Sequence, residues 1–217
     1  YVDNPEAWER TQKFVLEAMK ESGLPFTEGK GEAAFYGPKI DVQFRTVTGR
    51  EETASTNQLD FAVPERLRLA YVGADNSEHR PYIIHRAPLG THERFVAFLI
   101  EHYGGAFPTW LAPVQVRLVT VSDRFNEYAE RIVARLRGSM VRAELDDANE
   151  TVSKKVRTAV TQKIPNVLVI GEREVEEQAV TLRTYGSREQ ETMPVAEFEA
   201  RLLAAIRTRS RALPREV

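Results

Sequence analysis

The chain has 217 residues, 42% of them hydrophobic and 29% charged, and its 30 Lys and Arg against 32 Asp and Glu leave a net charge of −2. That length allows one or two domains, each able to bury a core. With no cysteine there is no disulfide framework and no Cys-based metal site, and no apolar run approaches the roughly 18 residues that span a bilayer.

Asn4-Pro5 reads as a helix start, with Asn as N-cap and Pro at the first helical position. Trp8, Val15, Ala18 and Met19 recur near helical spacing until Gly23 and Pro25 stop the helix. A polar stretch, 27–31, leads to Phe35-Tyr36-Gly37-Pro38-Lys39 and then to the alternating Ile40, Val42 and Phe44. Thr48-Gly49 is a turn between two antiparallel strands, the second running from Arg50 toward Asp60, and 74–77 is another turn. A β-branched pair, Ile83-Ile84, leads a strand into His85 and Arg86. Pro88 and Gly90 turn the chain, and a helix follows over 91–103. This order predicts an antiparallel sheet backed by helices.

Residues 104–113, with two glycines, two prolines and no periodicity, read as a linker. Beyond them strands at 114–121, 141–145 and 166–170 alternate with helices at 124–137 and 150–163. Two short strands then flank a turn at Gly186-Ser187. A last helix begins at Pro194 and carries Val195, Phe198, Leu202 and Ile206, and the tail after Arg207 is expected to fray. The pattern predicts an α/β unit with a mixed, mostly parallel sheet, and a division of the chain into 1–111 and 112–217. Residues 1–113 hold 12 basic and 16 acidic side chains, and 114–217 hold 18 and 16. The slight basic excess of the second half is a weak pointer to a polyanion, and equally ordinary surface scatter. No signal-peptide pattern is present, and the first residue, Tyr1, suggests a fragment or a processed product.

The stretch richest in chemistry is 83–95, IIHRAPLGTHERF. A strand that hands an arginine to a helix start presents it to an anion beside free backbone N–H groups. Taken alone, Arg94 is otherwise a solvated surface charge. The spelling His-Arg-Ala-x-x-Gly-x-x-Glu-Arg-Phe resembles motif 3 of the class II aminoacyl-tRNA synthetases, and that of the threonyl-tRNA synthetases in particular. Phe35-Tyr36-Gly37-Pro38-Lys39-Ile40 resembles the family's FYGPK strand. Gln58-Leu59-Asp60-Phe61 resembles its QLDF segment, and 107–113 (FPTWLAP) its junction into the anticodon-binding domain shared by the synthetases for Thr, Pro, His and Gly. Four motifs in the right order extend the resemblance over essentially the whole chain.

The resemblance implies a threonine–tRNA ligase. Threonine's carboxylate attacks the α-phosphate of Mg2+-ATP, pyrophosphate leaves, and the threonyl group passes to tRNA(Thr). Such chemistry asks for positioning and cations around the phosphates more than for proton transfer. Residues 1–111 correspond to the last part of the catalytic domain, and 112–217 to the anticodon-binding domain. Arg94 and Lys39 take catalytic positions on ATP, the planar guanidinium of Arg94 both stacking and donating. Tyr36, Gln58 and His85 take substrate-binding positions. Read without the family, Tyr36 is a core aromatic, Gln58 a polar strand residue and His85 a hydrogen-bonded structural histidine.

His85 also matches one of three protein ligands of the family's zinc, which binds the amino and hydroxyl groups of threonine. The other two ligands lie upstream of Tyr1, as do motifs 1 and 2 and the editing domain. The chain alone is therefore expected to be inactive and to hold zinc weakly or not at all, since a catalytic zinc needs three protein ligands. In 53–57 the chain reads Thr-Ala-Ser-Thr-Asn, where many relatives carry other residues.

Asn149, Glu174 and Arg183 match the family's anticodon contacts, side chains suited to reading single-stranded bases. Asn149 is alternatively an N-cap. Lys154, Lys155 and Arg157 are phosphate contacts or, as readily, a solvated face. A cytoplasmic protein with no membrane partner is implied, homodimeric at full length. The alternatives are a non-catalytic tRNA-binding or regulatory paralogue, against which Arg94, Lys39 and His85 speak, and another class IIa synthetase such as the prolyl enzyme.

Overall fold

The computed structural model describes residues 1–211 and 213. The chain forms two compact units, Tyr1–Glu101 and His102–Val217.

In the first unit, α1 (Pro5–Ser22) starts where Asn4 accepts a hydrogen bond from the Ala7 N–H (3.1 Å) and ends at Gly23 in the left-handed region (φ 67°). Strands β1 (Lys39–Arg45) and β2 (Glu51–Asp60) form the expected hairpin, and β5 (Ile83–Ala87) pairs antiparallel with the far side of β2, giving the order β1-β2-β5. A bulge between Val42 and Gln43 breaks the β1–β2 register. Between β2 and β5 lie α2 (Ala62–Arg66) and a two-stranded hairpin, β3 (Tyr71–Val72) with β4 (Glu78–His79). Sequence periodicity does not announce α2, because five residues containing Pro64 are too short to show a repeat; Asp60 starts it by accepting from the Ala62 and Val63 N–H groups, both at 2.9 Å. Helix α3 (His92–Tyr103) packs Phe98 on Phe44 of β1 (centroids 3.9 Å), and Trp8 of α1 meets Phe61 edge-on at 5.2 Å.

The second unit is a five-stranded sheet of order β10-β9-β8-β6-β7, with β6 (Val116–Thr120), β7 (Ala143–Asp146), β8 (Asn166–Ile170), β9 (Ala179–Thr184) and β10 (Gln190–Pro194). β6 is parallel to β7 and β8, while β9 is antiparallel to both β8 and β10. All strands but β9 therefore run one way, as the alternation of strands and helices predicts. Helices α4 (Asn126–Gly138) and α7 (Val195–Thr208) cover one face through Ile132, Leu136, Phe198 and Leu202, packed on Val116, Leu118, Leu168 and Val180. Helix α5 (Val152–Thr161) covers Val119 and Val167 on the other face. A short α6 (Glu172–Glu176), not visible as a repeat, follows β8. Of the tail expected to fray, α7 continues to Thr208 and closes at Arg209 (φ 53°), while 212 and 214–217 lie outside the described residues.

The stretch read as a linker is no free tether. Pro108, Thr109 and Ala112 are buried. Buried Gln115 donates to the Thr109 carbonyl (2.9 Å) and accepts from the Arg142 N–H (2.9 Å); Asn166 donates to Thr109 Oγ1 (3.0 Å); and Arg142 donates to the carbonyls of Ala112 and Trp110, both at 3.0 Å. Glycine and proline mark irregular backbone, but here that backbone has its polar groups satisfied by side chains of the second unit.

Candidate functional site

Lys39 on β1 stands opposite Gln58 on β2, and Gln58 opposite His85 on β5, so three expected site residues form one cross-strand row on one face of the sheet. The fourth, Tyr36, joins it because residues 36–38 continue along β2: the Leu59 N–H donates to the Pro38 carbonyl (3.0 Å) and the Phe61 N–H to that of Tyr36 (3.2 Å). Only glycine fits between them. A Cβ on Gly37 would lie 1.9 Å from the Leu59 carbonyl oxygen. The Tyr36 hydroxyl then donates to Gln58 Oε1, and its ring stands edge-on to the His85 imidazole at 5.8 Å.

Two carboxylates hold this row. Lys39 Nζ is 2.6 Å from Asp41 Oδ2, and His85 Nε2 is 2.7 Å from Oδ2 of Asp60, a residue only 1% exposed. Asp60 received no role from sequence beyond its place in a motif. The signal was there: an Asp just before a helix start, two residues along the strand from Gln58 and so on the same face. Thr56, a further two residues back, has a buried hydroxyl without a hydrogen-bond partner. The face thus offers an ammonium, an amide, an imidazole and two hydroxyls, a set suited to a small polar ligand.

Arg94 is not joined to this row. It lies in the first turn of α3, and its exposed guanidinium pairs with Glu52 at 3.3 Å. For a metal, His85 fits as one neutral donor backed by a carboxylate. Among the described residues no group of three or more His, Cys, Asp or Glu lies together to complete a site.

In the second unit, Arg183 and Thr181 on β9 share a sheet face with Val167 and Val169 of β8, beside Gln190 and Thr192 of β10. Glu174 of α6 reaches this face, accepting from Thr181 Oγ1 (2.7 Å) and from the Gly171 N–H (2.9 Å). Arg183 is half-buried and has no side-chain hydrogen bond among the described residues. Asn149 is exposed in the connection between β7 and α5. The cap of α5 is Thr151, whose Oγ1 accepts from the Lys154 N–H (3.3 Å), so Asn149 is free of the capping role.

The three basic residues of α5 part company. Lys154 is exposed and pairs with Glu150, and Arg157 is exposed. Lys155 does not face solvent: it is 4% exposed and donates to the Asp146 carbonyl at 2.9 Å, so as a phosphate contact it is ruled out. Helical spacing turns it toward the sheet, between the exposed Lys154 and Arg157. No helix among the described residues is long and apolar enough to cross a membrane.

Residues 6–103 match the tRNA synthetase class II core domain (G, H, P, S and T), and residues 115–205 match the anticodon binding domain. The threonine–tRNA ligase of Streptococcus agalactiae is 51% identical over 212 residues, 97% of this chain and 33% of the relative. That of Staphylococcus carnosus is 52% identical over 208 residues, 95% of this chain and 32% of the relative. The crystal structure of the RNA binding domain of threonyl-tRNA synthetase from Cryptosporidium parvum superposes with a TM-score of 0.86 at 31% identity, covering 99% of this chain and 53% of that one. The four motifs, both domain matches and the fold agree: the chain belongs to the threonyl-tRNA synthetase family and spans about a third of the length of the curated relatives it matches.

Proposed function

We propose that the chain is the C-terminal part of a threonine–tRNA ligase, with 1–111 closing the catalytic domain and 112–217 reading the anticodon of tRNA(Thr). The observation that carries this reading is the row Lys39, Gln58 and His85 with Tyr36 hydrogen-bonded to Gln58. In the longer protein Tyr36 and Gln58 orient threonine, and the ammonium of Lys39, aimed by Asp41, neutralises charge as the carboxylate displaces pyrophosphate from Mg2+-ATP. Arg94 leaves Glu52 and meets ATP. In the longer protein His85 would be one of the residues holding a zinc, which would supply Lewis-acid chemistry toward threonine. A full-length homodimer and a cytoplasmic site of action follow from the same reading.

On the second unit, Arg183 donates to a base edge, Glu174 accepts from an exocyclic amine, and Asn149 reaches a further base. The test is threonine-dependent pyrophosphate exchange. The 217-residue chain alone is expected to show none. In the longer protein Gln58→Ala and Lys39→Ala are each expected to lower kcat/KM by 2–3 orders of magnitude, on the scale of about 3–4 kcal/mol for one lost electrostatic contact. Full activity in either variant would remove that residue from the site.

A further inference from the structure

We propose that Asp60 is a positioning residue that holds His85 in the Nε2–H tautomer and so leaves Nδ1 as the lone pair that takes a divalent cation. The inference deepens the reading above and rests on it for the cation, while the tautomer stands on geometry alone. A carboxylate accepts and does not donate, so the 2.7 Å contact between Asp60 Oδ2 and His85 Nε2 puts the ring proton on Nε2. The carboxylate cannot turn away. Its Oδ1 accepts from two successive N–H groups of α2, at 2.9 Å each, and the residue is buried to 1% exposure. The two oxygens divide the work, one fixing α2 to the end of β2 and the other fixing β5's histidine. The imidazole is meanwhile 46% exposed, and the edge-on Tyr36 ring limits its rotation. A histidine whose outer nitrogen is held by a buried carboxylate is the arrangement that orients imidazole on a metal and raises its basicity.

The decisive measurement is a long-range 1H–15N spectrum of the histidine rings in the 217-residue chain near pH 8, where an ordinary imidazole is neutral. His85 is expected as the Nε2–H tautomer. In Asp60→Asn the amide oxygen keeps the two α2 bonds and the NH2 group turns to His85, which must then accept at Nε2 and carry its proton on Nδ1. His79, paired with Asp75 on the separate β3–β4 hairpin, is expected to be unchanged, and the backbone amide shifts of β2 and β5 report that the variant is folded. An Nδ1–H or doubly protonated His85 in the unsubstituted chain, or an unaltered tautomer in folded Asp60→Asn, would overturn the proposal; should the variant not fold, the unsubstituted spectrum alone decides. In the longer protein, zinc retention against a chelator is expected to fall 10- to 100-fold with Asp60→Asn. If His85→Ala retains zinc normally, the metal reading fails and the tautomer assignment stands.

Discussion

In His102–Val217 both faces of the sheet are roofed by helices of the same chain, and Phe198, Leu118, Leu168, Ile170 and Leu202 are fully buried. In Tyr1–Glu101, the buried apolar side chains among the described residues are Phe61 and two prolines, Pro38 and Pro64; α3 buries none, and Phe14, Val42, Ile84, Val96 and Ile100 are exposed. The first unit nevertheless holds the polar row, while the second holds most of the apolar burial that makes a domain stable by itself. Exposed apolar surface on this scale is characteristic of a face that something else covers. The polar row of this chain thus sits on the less self-sufficient scaffold.

The largest expected effect breaks the two units apart. Residues 102–217 expressed alone are expected to unfold in one cooperative transition, and residues 1–101 alone to lack one and to bind a hydrophobic dye; circular dichroism and dye fluorescence read both. A cooperative transition in 1–101 would erase the contrast. Next, in the 217-residue chain, Phe198→Ala is expected to lower the main denaturant transition by about 3–5 kcal/mol, the cost of a large buried aromatic, whereas Phe98→Ala in the first unit leaves it in place. Gln115→Ala should cost about 1–3 kcal/mol by stranding the groups it serves around Thr109 and Arg142. That result would extend the second unit's stable core into the junction.

Function sharpens the same contrast. Arg183→Ala is expected to weaken a threonine anticodon stem-loop by roughly 1–3 kcal/mol and to relax preference at one base. Arg157→Ala should instead weaken all RNAs alike and flatten the salt dependence, and Lys155→Met should leave that salt slope unchanged because its ammonium is spent on the Asp146 carbonyl. The smallest effect is local. The Ser77 hydroxyl first, and His79 second, hold the exposed Asp75 carboxyl down to about 2 from its ordinary 3.8. Since the folded value is the lower one, the hairpin's contribution is complete above the ordinary value and is lost as pH falls toward 2. Carboxyl NMR should find that midpoint, and Ser77→Ala should raise it toward 3.8.

Much of this was legible beforehand. Asn4-Pro5 and Gly23 bound α1 because caps are local chemistry, and β8 emerged at 166–170 because a buried strand needs an unbroken apolar run. The helix α2 and the hairpin β3–β4 stayed hidden, being shorter than the period that would reveal them. Lys155 was misread because a basic residue on a basic helix carries no mark of which side it faces; helix rotation against the sheet decides that.

The site divides the same way. Residue types and motif order alone determined the family and named Tyr36, Lys39, Gln58 and His85, since those depend on chemistry and spacing along the chain. Their union into one row was decided by strand register, which pairs residues tens of positions apart. So was the second role of Asp60, whose partner His85 lies 25 residues away and is brought to it only when β5 docks on β2.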